Sequence, residues 1–411
     1  MAPKRSNDSN DSAAKVSKCI PDKYMIELNM AEHNYLCNLN EDTRKLYFEM
    51  LCKYSKNIKN TPPRFKILNS NIPDKQKGEI FKRMSNDTSP KYESWIQTIL
   101  KIPFGNYCTI NRKTQNMKRK ILNKAKQNMD SSLVGHCRAK DQVLRTLAQW
   151  LSNPTSNTIA LGLEGPPGIG KTTFAQNALS VLDRPICFIS LGGALDSSFL
   201  LGHSYTYEGA ICGRIIDAIC ESNCMNPIIY FDELDKVSTS SKGMEIINTL
   251  IHITDPAQNH KFRDKFVGFD IDLSRVIFIF SYNDSTKVCP ILIDRLMRIQ
   301  CDIPTIEDKI KISREHLMPR CVKKNNINCY PEISDEDLIY IIKNYTCNEF
   351  GVRTLERNLN TILGCVNIWS MGSDVLSINC KFEKINKTLI DQILEFTKTE
   401  KDNVAHSLMF S

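Results

Sequence analysis

The sequence predicts an α/β fold in which a parallel sheet is covered by helices on both faces, followed by a small all-helical domain. Three observations lead there. The stretch from Thr158 to Leu182 reads as an apolar run, a glycine-rich turn and then a helical pattern. Beyond it, apolar runs (ICFISL, PIIYFDE, RVIFIFSYND) alternate with helical patterns (RIIDAIC, MEIINTLIHI). Strands that alternate with helices argue for parallel pairing, because each crossover needs a covering element. From Pro290 to Arg298 the chain leads into IEDKIKISREHL, EDLIYIIKNY, VRTLERNLNTILGCVNI and KTLIDQILEF, all with helical spacing and no strand alternation.

Composition sets the bounds. With 411 residues, 41% hydrophobic and 24% charged, the chain has the make-up of a globular protein of two or three domains. No apolar stretch approaches the roughly 18 residues that span a bilayer, so no membrane partner is expected. MAPKRSNDSNDSAAK lacks the apolar segment of a secretory signal. The 16 cysteines are scattered, with no C-x-x-C pair, and several lie inside apolar runs (Cys187, Cys289, Cys301). Free thiols in a reducing intracellular compartment, cytoplasm or nucleus, are the expectation. A net charge of +8 does not by itself imply nucleic acid.

Taken in order, residues 1–20 read as a disordered polar tail. Residues 21–128 read as a helical N-terminal segment, interrupted at Thr61-Pro62-Pro63 and ending in a basic linker. That linker, from Lys101 through Lys126, includes Arg112, Lys113, Lys118, Arg119, Lys120 and Lys124 without an acidic residue. It could contact the phosphates of nucleic acid, or it could be a helix whose charges face water; sparse aromatic residues favour the second. Residues 129–305 carry the α/β pattern, and 306–411 the helical lid.

The chemistry is concentrated at the glycine-rich turn. Gly165, Gly170, Lys171 and Thr172 satisfy G-x-x-x-x-G-K-[ST], the phosphate-binding loop, in the required context of a strand before and a helix after. The run Gly165, Pro166, Pro167, Gly168, Ile169, Gly170, Lys171, Thr172 and Thr173 is the candidate nucleotide cradle. Glycines let successive N–H groups face a polyphosphate at a helix N-terminus. Lys171 supplies a charge to the terminal phosphates, and the Thr172 hydroxyl is a candidate Mg²⁺ ligand. Val134 and Gly135, in the short loop before the helix AKDQVLRTLAQWL, are further candidate nucleotide contacts.

Four apolar residues ending in Asp232-Glu233 read as a buried strand that delivers two carboxylates beside that loop. Asp232 is a candidate Mg²⁺ ligand, and Glu233 a candidate base for the attacking water. Asn283 closes the run VIFIFSYN, where an amide could orient the water or meet the γ-phosphate. Arg295 and Arg353 are candidates for stabilising charge on the transferred phosphoryl group; a surface ion pair is the alternative for either.

The runs ISLGGALDSSFLLGHSYTYEGAICGRII, PIIYFDELDKV and TDPAQNHKFRDKFVGFDIDLSRVIFIFSYND, with PILIDRL, REHLMP and YTCNEFGVRTLER, closely resemble the AAA+ ATPase module of Lon proteases. The resemblance covers roughly residues 78–398. It implies an AAA+ P-loop domain with an all-α lid, Mg²⁺ and ATP as ligands, and a homo-hexameric ring. It further implies Asn283 as sensor 1, Arg295 as the finger reaching a neighbour's nucleotide, Arg353 as sensor 2, and Tyr207 as the pore-loop aromatic that grips a polypeptide. The sequence departs from the family in three ways. It ends at Ser411 without the Ser-Lys protease domain, so no peptidase activity is expected of it. The β-rich N-terminal domain is expected to be missing or replaced by the shorter helical segment. Glu208 follows Tyr207 where an apolar residue is usual. The expectation is an ATP-driven protein remodeller or unfoldase; the alternatives are a DNA-associated ATPase and an ATPase subunit serving a separate protease. Abundant Lys, Asn and Ile fit an AT-rich genome, as of a large DNA virus.

Overall fold

The computed structural model describes residues 39–47, 63–84, 90–109, 114–153, 160–204, 206–207, 209–327, 333–347, 349–371 and 385–395. The tail expected over 1–20 and the basic residues Arg112 and Lys113 lie outside them. The chain forms two compact units, 1–69 and 70–411. In the first, helix α1 covers 41–47 and α2 covers Pro63–Leu68. Here Pro63 opens a helix, where its missing N–H costs nothing.

The second unit begins with α3 (Asp74–Met84) and α4 (Pro90–Lys101). Next come α5 (Gln115–Ser132), α6 (Cys137–Ser152), β1 (Ala160–Glu164), α7 (Lys171–Leu179) and β2 (Ile186–Ser190). The chain continues through α8 (Ser198–Leu201), α9 (Arg214–Ser222), β3 (Ile228–Asp232) and α10 (Ser241–Thr254). The short hairpin β4 (Phe262–Arg263) and β5 (Asp270–Ile271) precedes β6 (Ile277–Tyr282), α11 (Pro290–Ile293) and β7 (Leu296–Gln300).

Five strands form one parallel sheet in the order β2-β3-β6-β1-β7. The central strands are apolar on both faces, as buried parallel strands must be. On one face, Leu161, Leu163, Tyr230 and Ile279 share a core with Met129 of α5, Leu147 of α6 and Phe174 of α7. The alternate residues of β3 and β6 face the other way, where the rings of Phe231 and Phe280 stack at 5.0 Å. The sequence reading did not anticipate β7. Its alternation is short, and Arg298 on an edge strand, paired with Glu164 at 2.9 Å, hides the pattern.

Helices α3 and α4 pack on the hairpin. The indole of Trp95, fully buried, donates to Phe266 O at 2.9 Å, and Arg83 lies 5.4 Å over its ring. Segment 70–101 therefore shares a compact unit with the sheet.

The remaining helices are α12 (Ile306–Ile312), a π-type turn Ser313–Leu317, α13 (Met318–Asn325), α14 (Asp335–Tyr345), α15 (Arg353–Ser370) and α16 (387–395). Thr305 and Asp308 form a reciprocal capping box that starts α12. Leu338, Ile341, Leu355, Leu359, Ile362 and Ile390 build a second core. Tyr340 and Tyr345 both donate to the Asp391 carboxylate, at 2.8 and 2.6 Å, tying α14 to α16.

Candidate nucleotide-binding site

The turn between β1 and α7 opens the site. Gly168 and Gly170 have φ of 79° and 94°, a left-handed backbone that a side chain would strain. The Lys171 ammonium folds back over this turn. It donates to Asn283 Oδ1 at 2.7 Å, to Pro166 O at 3.2 Å and to Gly165 O. Burial lowers its pKa, with the nearby Asp232 and Asp235 carboxylates acting against that shift.

The C-terminal end of β3 brings the carboxylates alongside. Asp232 accepts from the Ser281 hydroxyl and from Glu233 N at 3.0 Å. Glu233 sits in the left-handed region at φ 59°, which swings its side chain over the end of β2. A Cβ at Gly192 would lie only 2.3 Å from Glu233 Oε2. Asn283, one residue past β6, donates to Asp235 Oδ2 at 3.3 Å and so bridges Lys171 and Asp235. Thr172 Oγ1 lies 3.4 Å from the Tyr230 hydroxyl.

The helical domain closes the other side. Val352 N donates to Gly168 O at 3.1 Å. Gly351 approaches so closely that a Cβ there would fall 2.4 Å from Gly168 C. Arg353, first residue of α15, faces the same cleft of about 310 Å³ that holds Lys171, Thr172, Thr173, Asp232, Glu233 and Asn283. Hydroxyl and carboxylate oxygens from Thr172 and Asp232 are the hard donors that suit Mg²⁺, which takes few protein ligands. The glycine turn and the half-buried ammonium suit a polyphosphate.

The other expected residues are distributed as follows. Pro167, Gly168, Ile169, Gly170 and Val134 line the cleft. Gly165 and Pro166 meet it through the carbonyls that hold Lys171, and Gly135 stands beside Val134 with φ of 75°. Arg295 lies outside the cleft, in an ion pair with Asp255 at 3.1 Å. The Asp255 carboxyl is held below its usual range by the Ala257 N–H and then by Arg295. Tyr207 also lies outside the cleft and is 67% exposed on the loop between α8 and α9.

Lys101, Arg119, Lys120, Lys124 and Lys126 are exposed, while α5 buries Ala125 and Met129. Sequence reasoning missed His136, Asp235, Ser281, His316, Arg320 and Glu356, which also line the cleft. None of these sits in a recognisable spacing. Among the described residues, the cysteines are free, no acidic or His/Cys cluster could hold a metal by itself, and no helix is long and apolar enough to cross a membrane.

Comparison with known proteins agrees with this fold. The family described as "ATPase family associated with various cellular activities (AAA)" matches residues 161–304. A Lon protease homolog of Acanthamoeba polyphaga mimivirus is 35% identical over 316 residues, 72% of this chain and 30% of the relative. Lon protease of Clostridium acetobutylicum is 34% identical over 284 residues, 69% of this chain and 36% of the relative. The chain thus spans about a third of the length of these curated relatives. A closed-state structure of Hsp104 with ATPγS and FITC casein superposes with a TM-score of 0.51 at 17% identity, covering 63% of this chain and 49% of that one, a likeness of fold. Residues 161–304 are an AAA domain, and the chain carries a Lon-like AAA+ ATPase module.

Proposed function

We propose that this chain hydrolyses ATP with Mg²⁺ and uses the turnover to remodel or unfold proteins, working as a ring of six copies. The observation that supports it most is the convergence of Lys171, Thr172, Asp232, Glu233, Asn283 and Arg353 on one cleft at the phosphate-binding turn. In this reading the turn from Gly165 to Gly170 and the Lys171 ammonium bind the polyphosphate. Thr172 and Asp232 hold Mg²⁺, which neutralises phosphate charge. Glu233 takes the proton of the attacking water while Asn283 orients it. Arg353 reaches the phosphates from the helical domain, and Arg295, held by Asp255, is presented to the nucleotide of a neighbouring copy. Tyr207, exposed on its loop, makes the aromatic contact with polypeptide, a contact tolerant of sequence. The Lon names of the relatives support a polypeptide substrate.

A second reading, an ATPase that acts on nucleic acid, draws on the exposed lysines of α5. The two separate in steady-state ATP turnover of wild type and Glu233→Gln, each with an unfolded protein or with duplex DNA. Stimulation of wild type by the unfolded protein, lost in the variant, is expected. Stimulation by DNA alone would overturn the remodelling role in favour of the second reading.

A further inference from the structure

Tyr230 stands in the middle of β3 between apolar neighbours and is fully buried. A phenylalanine ring would fill the same space, so the hydroxyl is the feature to explain; a buried hydroxyl without partners destabilises a fold. Strand register supplies the partners. Tyr230 pairs with Ile279 of β6, so Ser281, two residues on, projects from the same face of the sheet, as does Asp232 two residues past Tyr230. That face is covered by α7, whose second residue is Thr172. The Tyr230 hydroxyl lies 3.4 Å from Thr172 Oγ1 and within hydrogen-bonding reach of Ser281. Ser281 in turn donates to Asp232 Oδ1.

The carboxylate at the end sets the direction of the whole chain. It only accepts, so Ser281 gives its one proton to Asp232 and must accept from Tyr230. Tyr230 then gives its proton to Ser281 and accepts from Thr172. The Thr172 proton is drawn into the sheet, which leaves lone pairs of Oγ1 for the cleft. At the other end, Ser281 and Glu233 N both donate to Asp232 Oδ1, and among the described residues no hydrogen bond falls on Oδ2. Two acceptor oxygens free of protons, Thr172 Oγ1 and Asp232 Oδ2, are thus offered to one cleft, as a hard cation requires. We propose that Tyr230 is a positioning residue for Mg²⁺: its hydroxyl orients Thr172 directly and Asp232 through Ser281, the two groups that would hold the ion. This inference rests on the ATPase reading of the same cleft.

The test is titration calorimetry of the full chain with a non-hydrolysable ATP analogue, once in Mg²⁺ and once in EDTA. Tyr230→Phe keeps the ring in the core and removes only the hydroxyl. Its affinity in Mg²⁺ should fall by about tenfold, the size of effect seen when a group supporting a metal ligand is lost. Affinity in EDTA should stay within about twofold of wild type, because the turn and Lys171 are untouched. Ser281→Ala should behave in the same way, and it carries the test if Tyr230→Phe does not fold. In a Thr172→Ala background, Tyr230→Phe should cost about threefold or less, since the direct link is already gone. An Mg²⁺ enhancement equal in wild type, Tyr230→Phe and Ser281→Ala would overturn the proposal. So would a loss in Tyr230→Phe that is the same in Mg²⁺ and in EDTA, which would mark the hydroxyl as a packing group. Failure of the ATPase reading looks different: wild type would bind the analogue under neither condition, or Lys171→Ala would leave its affinity untouched.

Discussion

Asn283 Oδ1 accepts from Lys171 Nζ at 2.7 Å while Asn283 Nδ2 donates to Asp235 Oδ2 at 3.3 Å, so one amide holds the ammonium and a buried carboxylate at fixed positions. The arrangement predicts that Asn283→Ala separates binding from chemistry. Lys171 keeps its carbonyl contacts with Gly165 and Pro166, so nucleotide affinity should change by no more than a few-fold. ATP turnover should fall by about 10²–10³, the usual cost of removing an orienting polar group from a reaction site. Measuring dissociation constants beside single-turnover rates checks this. A large loss of affinity, with a lower melting temperature, would mark the amide as structural.

Much of this cleft is legible in the sequence because its chemistry lies at the ends of strongly patterned elements. Four apolar residues before Asp232 and Glu233 read as a buried strand ending in acids, and the glycine turn, between a strand and a helix, reads as a phosphate cradle. The residues that escape are those whose neighbours are set by tertiary packing. Gly351 has no local signature; its meaning lies in Gly168, far away in the chain. His136 sits one residue past the expected contacts Val134 and Gly135, but its orphaned nitrogen is a property of what surrounds it. Trp95 reads as an amphipathic helix residue, yet its indole N–H is spent on the hairpin backbone at Phe266.

The contact between Gly351 and the phosphate-binding turn yields a second prediction. An added methyl would lie 2.4 Å from Gly168 C and 2.6 Å from Pro167 O, both backbone atoms that cannot yield cheaply. Gly351→Ala should push the Val352 N–H away from Gly168 O, weakening nucleotide binding at least about tenfold and destabilising the chain by about 1–3 kcal/mol. Gly364, within α15 with nothing inside 4 Å, is the matched control. Gly364→Ala should leave binding unchanged and raise stability by up to about 1 kcal/mol. Titration calorimetry and denaturant melts of the two variants decide it; equal behaviour would mean that the helical domain does not bear on the turn.

The third prediction concerns Asp264, which is fully buried at the base of the Tyr207 loop. Its Oδ1 accepts from Phe266 N at 2.8 Å and Val267 N at 2.9 Å, and its Oδ2 accepts from Gly213 N at 2.8 Å. Burial nevertheless dominates these three N–H groups and pushes the carboxyl up to about 6. A folded pKa raised above the unfolded value means that the native state holds the proton more tightly. The linked stability is therefore fully present below about pH 4 and lost as pH rises through about 6. A shift of about two units is worth on the order of 3 kcal/mol. Asp264→Asn removes the titration and sets an amide donor against a backbone N–H. The stability gap between wild type and this variant should be largest near pH 3.5 and should shrink by roughly that amount toward pH 7.5 in urea melts. A gap independent of pH would show that the buried carboxyl is not raised. Faster hydrogen exchange at Gly213 in the variant would follow from the lost bond and would place the effect at the base of the loop that carries Tyr207.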